Sequence, residues 1–557
     1  MMRTACWVWA VLGLAAACGD DDVTVDDAGA PVDAGLDAGE ADAGRDAGPG
    51  FDAGPPITGC ELLEGELPPW PTEGDFAPPA PDAFDPIAGP GGPSVSFEES
   101  ALFTACAHLD GGERDRDHHN TVLMLDGYVW LPFAHEGGVG GIRAFDLSSP
   151  CEPTVVGTAF DDQMRETHAA GVAYANDRRW MAVTSLTGIQ FWDITDPTAM
   201  RMASDLTLPD VTYPNSYLRV VMSLFWQAPY VYVSAATLGV FVVDASDPEN
   251  PELVGHHVPS PAVEAGNLHA LGTRLVLLPS EGIQNHVFDI SNPTELRPVP
   301  GGAFLVSDGT TRGGRPNVVT SYFGHVHGTQ ALYARHLFGG GLVIFDLSDW
   351  TAPQFVGQWV STRDGANGGY VFVQNETAFV GLSSHAAILD VSDPTTPTLV
   401  QELELQGDFD TLVPVGNVLV GSVDDDAIED QASAVFPWQR EPDTRGPAVN
   451  RVMPEDGADV VALGARVGIA FDEHVELETL HPGSFYVRPV DDEDRPLAPP
   501  LTGHYSGQEG LYNFAPDAPL RPGTRYEVVV PAGGVRDWSG NPTTTAFRST
   551  FVTARCE

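Results

Sequence analysis

Five histidines are the residues whose type and spacing could do chemistry in this chain. They precede successive short apolar segments, and the set is His119, His168, His269, His325 and His327. If those segments converge in space, their neutral imidazoles could bind Zn²⁺, Cu²⁺ or Fe, with Glu136 or Glu166 as an added carboxylate. The spacing therefore raises the hypothesis of a metal site.

A structural explanation stands beside it. Tyr217, Tyr370 and Asp410 occupy the approximately equivalent positions before other apolar segments, so the series of histidines is incomplete. A histidine duplicated along with a repeat can simply satisfy a backbone carbonyl. Apart from a possible divalent metal, no cofactor is expected.

Motifs that would name a reaction are missing from the sequence. There is no G-x-S-x-G, no H-E-x-x-H and no phosphate-binding glycine loop. A Ser-His-Asp set is assembled in space and cannot be judged from spacing. No catalytic or cofactor-binding residue is therefore assigned.

Two charged segments could each bind a ligand or simply lie at the surface. Asp424, Asp425 and Asp426 with Glu429 and Asp430 could bind Ca²⁺ or form a charged surface loop. The long stretch between Gly301 and Thr320 carries Arg312-Gly313-Gly314-Arg315 and could be a binding loop or a solvated insertion. The sequence leaves both questions open.

The overall charge restricts the partners. The 557 residues carry a formal net charge of −51, from 78 acids against 27 bases. Such a polyanion is repelled by phosphate backbones and anionic lipids, which excludes nucleic acid as a partner. Divalent cations, or a protein or glycan ligand at the cell surface, remain as partners.

The N-terminus predicts export. After Arg3, residues 6–17 form an apolar segment too short to span a bilayer. Ala15-Ala16-Ala17-Cys18-Gly19 resembles a bacterial lipobox, with Ala15 where Leu is usual, which predicts a signal peptide over 1–18 and lipidation of Cys18. The alternative is an ordinary signal-peptidase site ending at Ala17. We expect a lipoprotein at the cell envelope, at the outer membrane, that meets membrane only through its anchor.

Export makes the other cysteines interpretable. Cys60, Cys106, Cys151 and Cys556 remain after the signal peptide and the lipidated cysteine are set aside, and four cysteines allow three pairings. Cys106 with Cys151 is the favoured pair because both lie at the start of the repeats. Cys60 with Cys556 would then tie the chain ends together.

Composition changes sharply after the signal. Residues 19–57 repeat Asp-Ala-Gly six times and have almost nothing apolar to bury, which predicts a disordered linker. Residues 58–114 are rich in proline at their start and predict an irregular lead-in.

Six repeats follow, each with a glycine or small residue, an apolar run, an aspartate and a turn. They are GIRAFDLSSP, GIQFWDITDP, GVFVVDASDP, NHVFDISNP, GLVIFDLSDW and AAILDVSDP, with the shared aspartate at 146, 193, 244, 289, 346 and 390. Intervals of 44 to 57 residues fit one four-stranded blade each. The apolar run predicts a buried strand, and the aspartate predicts acceptance of hydrogen bonds from backbone N–H groups of the turn.

The repeats resemble the LVIVD repeat family, which implies a β-propeller and no single activity. We place this domain at 115–445, with seven blades favoured over six because a strand pattern recurs at Ala434 to Pro437 without the turn. The stretch from Ser94 to Thr104 is predicted to add a strand to the last blade and close the ring.

Residues 446–557 differ. Alternating segments at Arg466 to Asp472, Arg525 to Val530 and Phe547 to Thr553 predict a β-sandwich. PEDGADV, FDEHV, LRPGTRYEVVV and VRDWSGN resemble the bacterial Ig-like domains of S-layer type proteins, which act as spacers or adhesive modules.

These features together predict an all-β, envelope-anchored, non-enzymatic binding or scaffold protein. The alternative is a propeller enzyme, a metal-dependent hydrolase or oxidoreductase, with its site at the channel mouth. Fold alone does not separate them, because propellers host both.

Overall fold

The computed structural model describes most of the chain after the linker. The described residues are 57–63, 65, 67–109, 121–135, 137–166, 168–213, 215–337, 339–424, 427–428 and 431–556. The residues singled out above that lie outside these ranges are Cys18, His119, Glu136, Asp425, Asp426, Glu429, Asp430 and the tripeptide repeats.

The described chain is built almost entirely of antiparallel strands. Its helices are four three-residue 3₁₀ turns, at Cys60–Leu62, Glu99–Ala101, Tyr217–Arg219 and Leu477–Thr479. None of the described helices has the length and apolarity that a bilayer-spanning segment needs. The predicted all-β fold, a propeller followed by an Ig-like sandwich, is confirmed.

Seven units of four antiparallel strands form the propeller, and we number them as blades one to seven along the chain. In blades one to six the four strands follow one another in the sequence. The first six are Leu123–Leu125, Tyr128–His135, Gly138–Asp146, Thr154–Asp161; Gly171–Ala175, Arg178–Thr184, Gly188–Asp193, Arg201–Thr207; Ser223–Gln227, Tyr230–Ser234, Val240–Asp244, Glu252–His257; Ala265–Leu271, Arg274–Pro279, Gln284–Asp289, Arg297–Pro298; Ser321–His327, Gln330–Arg335, Gly341–Asp346, Gln354–Val360; Val371–Gln374, Thr377–Gly381, Ala386–Asp390, Thr398–Leu403. The first strand of each blade faces the central channel, and the fourth is the outermost.

Blade seven joins the two ends of the propeller. Its first three strands are Thr411–Val415, Val418–Ser422 and Ser433–Pro437, and its outer strand is Ala107–His108. The strand expected over Ser94 to Thr104 is therefore misplaced. The backbone before Ala107 makes isolated hydrogen bonds to the blade, such as Phe103 N–H to the Pro437 carbonyl, and regular pairing begins after Cys106.

The shared aspartate of the six repeats makes the same contact in every copy. Its Oδ1 accepts the backbone N–H two residues further on, at 2.8 to 3.1 Å, in Asp146, Asp193, Asp244, Asp289, Asp346 and Asp390. This bond satisfies a donor that the turn leaves without a ladder partner, and it ends the third strand.

A glycine in the fourth strand lets neighbouring blades touch. A Cβ on Gly157 would lie 1.9 Å from the carbonyl oxygen of Pro197, in the turn of the next blade. Gly357 has the same relation to Pro394, at 2.2 Å. Any larger residue would push the blades apart, so the V-G pair of the fourth strand is a packing requirement.

The segment from Gly301 to Thr320, for which a binding loop and a solvated insertion were both left open, contains regular strands. It forms a two-stranded ribbon, Ser307–Arg312 with Arg315–Val318, after the short strand Phe304–Leu305, which pairs with blade four. Gly313 and Gly314, both with positive φ, supply its two-residue turn. Arg312 and Arg315 lie exposed on either side of that turn.

The C-terminal domain is a sandwich of two four-stranded sheets. One sheet has the order Val449–Met453, Val467–Phe471, Leu511–Pro516 and Gly503–Gln508, and the other has Ala458–Val461, Phe547–Thr553, Arg525–Val530 and Tyr486–Val490. The last strand of the first sheet continues onto blade two through a bridge between Ser506 and Ala173. The sandwich is thus fused edge to edge with the propeller.

Disulfides join Cys60 to Cys556 and Cys106 to Cys151. These are the two pairs that the sequence analysis favoured. The first ties the lead-in to the end of the sandwich, and the second fastens the outer strand of blade seven to blade one.

Buried amide contacts hold the two domains together. The Asn513 side chain accepts the Gly272 N–H at 2.7 Å and Gln227 Nε2–H at 3.0 Å, and donates to the Ala270 carbonyl at 3.0 Å. All of these groups are withdrawn from solvent, so each would be costly to leave without a partner.

We expect Asn513→Ala to lower the free energy of unfolding by roughly 3 kcal/mol, because it leaves buried propeller donors and an acceptor unpaired. Urea unfolding measures this loss. Asn250→Ala, which removes an exposed amide bonded only to Asp247 nearby, is the control and should cost well under half as much. Equal losses in the two variants would contradict the assigned role of Asn513.

Candidate functional site

Two of the predicted histidines meet in the channel. His269 and His325 lie on the first strands of blades four and five, each 1% exposed, with their ring centroids 5.8 Å apart. His269 Nε2 is 3.2 Å from the Gly324 carbonyl oxygen. The Nδ1 atoms of both rings face a carboxylate that comes from the Ig-like sandwich.

That carboxylate belongs to Glu509. Its Oε2 lies 3.7 Å from His269 Nδ1 and 3.6 Å from His325 Nδ1. Glu509 and Gly510, with φ of 53° and 81°, form a two-residue hairpin turn that projects into the end of the channel. Gln508 beside it donates to the Leu224 carbonyl of blade three at 3.3 Å. The sandwich therefore covers this end of the channel.

Burial keeps the imidazoles of this cluster neutral. Removal from water lowers the pKa of His325 to about 3 and that of His269 to about 4, the latter opposed by Glu509. Burial, with His325 adding to it, also lowers the pKa of the sandwich residue His474 to about 4. The pKa of Glu509 is raised overall, because the effect of burial exceeds the opposing effects of His269 and His474.

The other described histidines of the set occupy two different places. His168 precedes blade two at the other end of the channel, with Nε2 3.0 Å from Glu166 Oε1 and 3.3 Å from Tyr322 Oη. Its ring stacks on Phe323 at 4.8 Å. His327 ends the first strand of blade five next to His325, with their ring centroids 6.3 Å apart, and its Nε2 is 3.5 Å from Asn450 Nδ2 of the sandwich. The structure therefore brings His325 close to both His269 and His327 and leaves His168 apart.

The space between the two ends is filled with side chains. Met222, Phe323, Phe372 and Val413, from blades three, five, six and seven, belong to one buried apolar cluster. A solute cannot pass along a channel packed in this way. The two ends are therefore separate environments.

Carboxylates, not histidines, supply the sets of ligand atoms that come close enough to share a cation. Among the described residues, three such atoms lie within 4.8 Å of one another in two groups, Asp408 with Asp410 and Asp424, and Asp443 with Glu473 and Asp537. Asp424 was singled out from the sequence, while its neighbours Asp425 and Asp426 lie outside the described residues.

His385 of blade six contacts two serines, but the geometry is wrong for a catalytic relay. His385 Nε2 is 3.3 Å from Ser361 Oγ, and Glu402 Oε1 lies 3.6 Å from the same nitrogen. In a catalytic triad the acid must bind the opposite ring nitrogen, which here contacts Ser384 Oγ at 3.0 Å. This arrangement cannot activate Ser361.

Family models match two parts of the chain. The LVIVD repeat model matches residues 226–257, 337–360 and 367–404. The bacterial Ig-like domain model matches residues 443–553. The chain carries LVIVD repeats and a bacterial Ig-like domain. Both predicted resemblances are thereby confirmed.

Solved structures add likenesses at low identity. BamB from Moraxella catarrhalis has 12% identity over 60% of this chain and 96% of that chain, with a TM-score of 0.38. Periplasmic gluconolactonase of Pseudomonas aeruginosa has 14% identity over 50% and 82%, with a TM-score of 0.39. Sqt1 of Saccharomyces cerevisiae has 9% identity over 60% and 99%, with a TM-score of 0.40. No curated protein matches the sequence significantly.

The contacts of the Ig-like domain with the LVIVD blades were not evident from spacing. Glu509 and His474 are the residues that complete the channel cluster, and His474 sits in the FDEHV segment, which indicated only the resemblance to Ig-like domains. A two-residue Glu-Gly turn between strands was the one available signal for a projecting carboxylate.

We expect His325→Gln to change how stability depends on pH. The folded chain keeps His325 neutral, whereas the unfolded chain protonates it near its ordinary pKa of 6.5. Its contribution is thus fully present above about pH 6.5 and is lost as the pH falls from there toward 3. The free energy difference between wild type and variant should shrink between pH 7.5 and 4.5.

Urea unfolding at a series of pH values measures that difference. Carboxyl groups remote from His325 titrate alike in both proteins and cancel in the comparison. His504→Gln, an exposed histidine of the Ig-like domain, is the control. A constant gap for His325→Gln across this range would show that His325 is not buried as described.

Proposed function

We propose that this protein is a non-enzymatic binding or scaffold protein, held at the cell envelope by a lipid on Cys18. Its propeller presents a surface to a protein ligand, and its Ig-like domain braces the propeller. The observation that carries this proposal is the occupied channel. One end is covered by the Glu509 hairpin, and the interior is packed with apolar side chains.

The polar groups of the covered end support the proposal, since they serve the contact between domains. His269 and His325 face Glu509, and Asn513 bonds three propeller groups. A catalytic site needs groups that a substrate can reach. At this end the described groups are enclosed by the protein itself.

The outer strands offer the accessible surface. Each is the last strand of its blade, and several expose large apolar side chains, namely Val155, Phe160, Met202, Leu253, Val254, Val360, Leu399 and Val400. Unpaired strand edges with apolar side chains favour an extended protein segment as the partner. The net charge of −51 favours a partner with a basic surface.

Charge placed on an outer strand should weaken partner binding. A photo-reactive residue at Leu399 in the full chain should cross-link a protein in the producing cells, and Val400→Glu should reduce that product about tenfold. The matched control is Val460→Glu on the Ig-like domain, because the Val460 side chain is 52% exposed and that of Val400 is 55% exposed. This variant should leave the amount of cross-linked product unchanged.

Two results would count against a protein partner on this surface. One is the absence of any cross-linked product from Leu399. The other is a product that Val400→Glu and Val460→Glu affect equally. Binding of a glycan that Val400→Glu abolishes, without a protein product, would replace the protein ligand by a glycan.

The lipid anchor has its own test. Cells fed labelled palmitate should incorporate the label into the wild-type chain, and Cys18→Ser should lose it. An immunoblot of the membrane fraction should show the same loss. Label that persists in Cys18→Ser would contradict the anchor without affecting the binding proposal.

A second candidate is the propeller enzyme with its site at the channel mouth. It is favoured by the buried pair of His168 and Glu166, 3.0 Å apart, because a carboxylate-oriented imidazole can act as a general base. Ester, lactone and phosphoester hydrolysis by the full chain, with Zn²⁺ or with EDTA, tests it. Turnover that His168→Asn abolishes would favour the enzyme and contradict the non-enzymatic proposal.

A further inference from the structure

Three carboxylates gather where the Ig-like domain meets blades six and seven. Asp443 lies in the segment that leads from the propeller, Glu473 follows a strand of the first sandwich sheet, and Asp537 lies in the turn before the last strand. Their ligand oxygens lie within 4.8 Å of one another. They line a small cavity together with residues from the inner turns of the blades, including Gln374 and Gly416.

Two of the three are held in place by backbone and amide donors. Asp537 accepts the Asn541 N–H at 2.7 Å and Asn541 Nδ2–H at 2.9 Å. Asp443 Oδ1 accepts the Arg445 N–H at 2.9 Å, and the same Asn541 amide donates to the Asp443 carbonyl at 3.1 Å. Asn541 therefore fixes the spacing of both carboxylates.

Glu473 is different. It is 3% exposed, and its side chain makes no hydrogen bond to any residue that the structure describes, with Oε1 fully enclosed. The nearby cation, Arg445, bonds Asp472 and Asn375 instead. A buried carboxyl without a donor and beside two other carboxyls is unfavourable unless a proton or a cation compensates it.

The electrostatics agree with this geometry. Burial, with Asp537 and Asp443 adding to it, raises the pKa of Glu473 to about 9. Burial also raises the pKa of Asp537 to about 7, against the hydrogen bonds from Asn541.

We propose that Asp443, Glu473 and Asp537 form a binding site for one hard divalent cation, of the Ca²⁺ class. Three carboxylates with no thiolate supply oxygen ligands, which Ca²⁺ prefers over softer ions. The enclosed Oε1 of Glu473 is the ligand atom that nothing else satisfies. A cation there joins the segment after the propeller to two segments of the sandwich.

Calcium binding to the full chain tests the site. After removal of metals with EDTA, we expect calorimetric titration with CaCl₂ at pH 7.5 to show a site whose affinity falls about tenfold or more in Glu473→Gln. Saturating Ca²⁺ should raise the thermal unfolding midpoint of the wild type by roughly 3 °C and leave that of Glu473→Gln unchanged. Asp537→Asn should behave like Glu473→Gln.

The variants stay informative even without metal. Glu473→Gln replaces a buried acid by a neutral group of nearly the same shape, so its metal-free form should unfold at the same temperature as the metal-free wild type or higher, which separates loss of the site from misfolding. Asp410→Asn alters the other carboxylate group, at the opposite end of the channel, and should keep the Ca²⁺ response of this site.

Three outcomes would overturn the proposal. The wild type could show no heat and no midpoint shift with millimolar Ca²⁺. Glu473→Gln could respond as strongly as the wild type, which would place the calcium elsewhere. Zn²⁺ could bind while Ca²⁺, Mg²⁺ and Mn²⁺ do not, which would contradict a site of oxygen ligands. None of these results bears on the binding role proposed for the outer strands.

Discussion

An aspartate ends the third strand of each repeat by accepting the backbone N–H two residues further on. In most repeats a second Asp or Asn three residues later makes the same bond, as Asp349 does with Thr351 N–H at 2.9 Å. These bonds fix the turn that starts the fourth strand, and so they fix where the turn's carbonyl groups point. The carbonyl of Pro197 then approaches Gly157 of the preceding blade, closer than any side chain would allow. The geometry of one turn thus determines how one blade packs on the next.

The Ig-like domain contributes to the stability of the propeller. Its first sheet continues onto blade two, and its hairpin enters the channel. Burying Asn513, Glu509 and their partners removes polar groups from water. This unfavourable desolvation is offset because nearly every one of these groups lies next to a hydrogen-bonding or charged neighbour. A rigid junction of this kind suits a protein that presents a surface at a fixed orientation.

Titratable groups at the junction oppose each other in their effect on stability. Glu476 and Glu478 of the Ig-like domain lie beside Asp126 of blade one, and burial raises the pKa of all three carboxyls. Raised carboxyl pKa values favour folding at low pH, and that contribution is lost as the pH rises through them. The depressed pKa values of His269 and His325 act in the other direction, with stability lost on acidification. The stability of the junction therefore depends on two sets of groups whose contributions change in opposite directions with pH.

The sequence by itself determined the architecture, because each element of the repeat acts locally. The aspartate bonds to its own turn, the apolar run of six residues or fewer forms a strand, and the period of 44 to 57 residues sets the blade, so neighbours along the chain carry the information. The same holds for the strands around Val467–Phe471 and Phe547–Thr553. The strand that closes blade seven was misplaced because two residues, Ala107 and His108, have too little pattern to recognise.

The sites were decided only by tertiary structure. His168 precedes the first strand of blade two, whereas His325 lies within the first strand of blade five, and the two have separate partners at different depths of the channel. Glu509 reaches His269 across 240 residues of sequence, a separation over which no spacing rule applies. Asp443, Glu473 and Asp537 come from three segments far apart in sequence, which the fold of the Ig-like domain and of the segment leading into it brings together. Local hydrogen bonds can be inferred from neighbouring residues, whereas a cluster of charges depends on how whole domains pack.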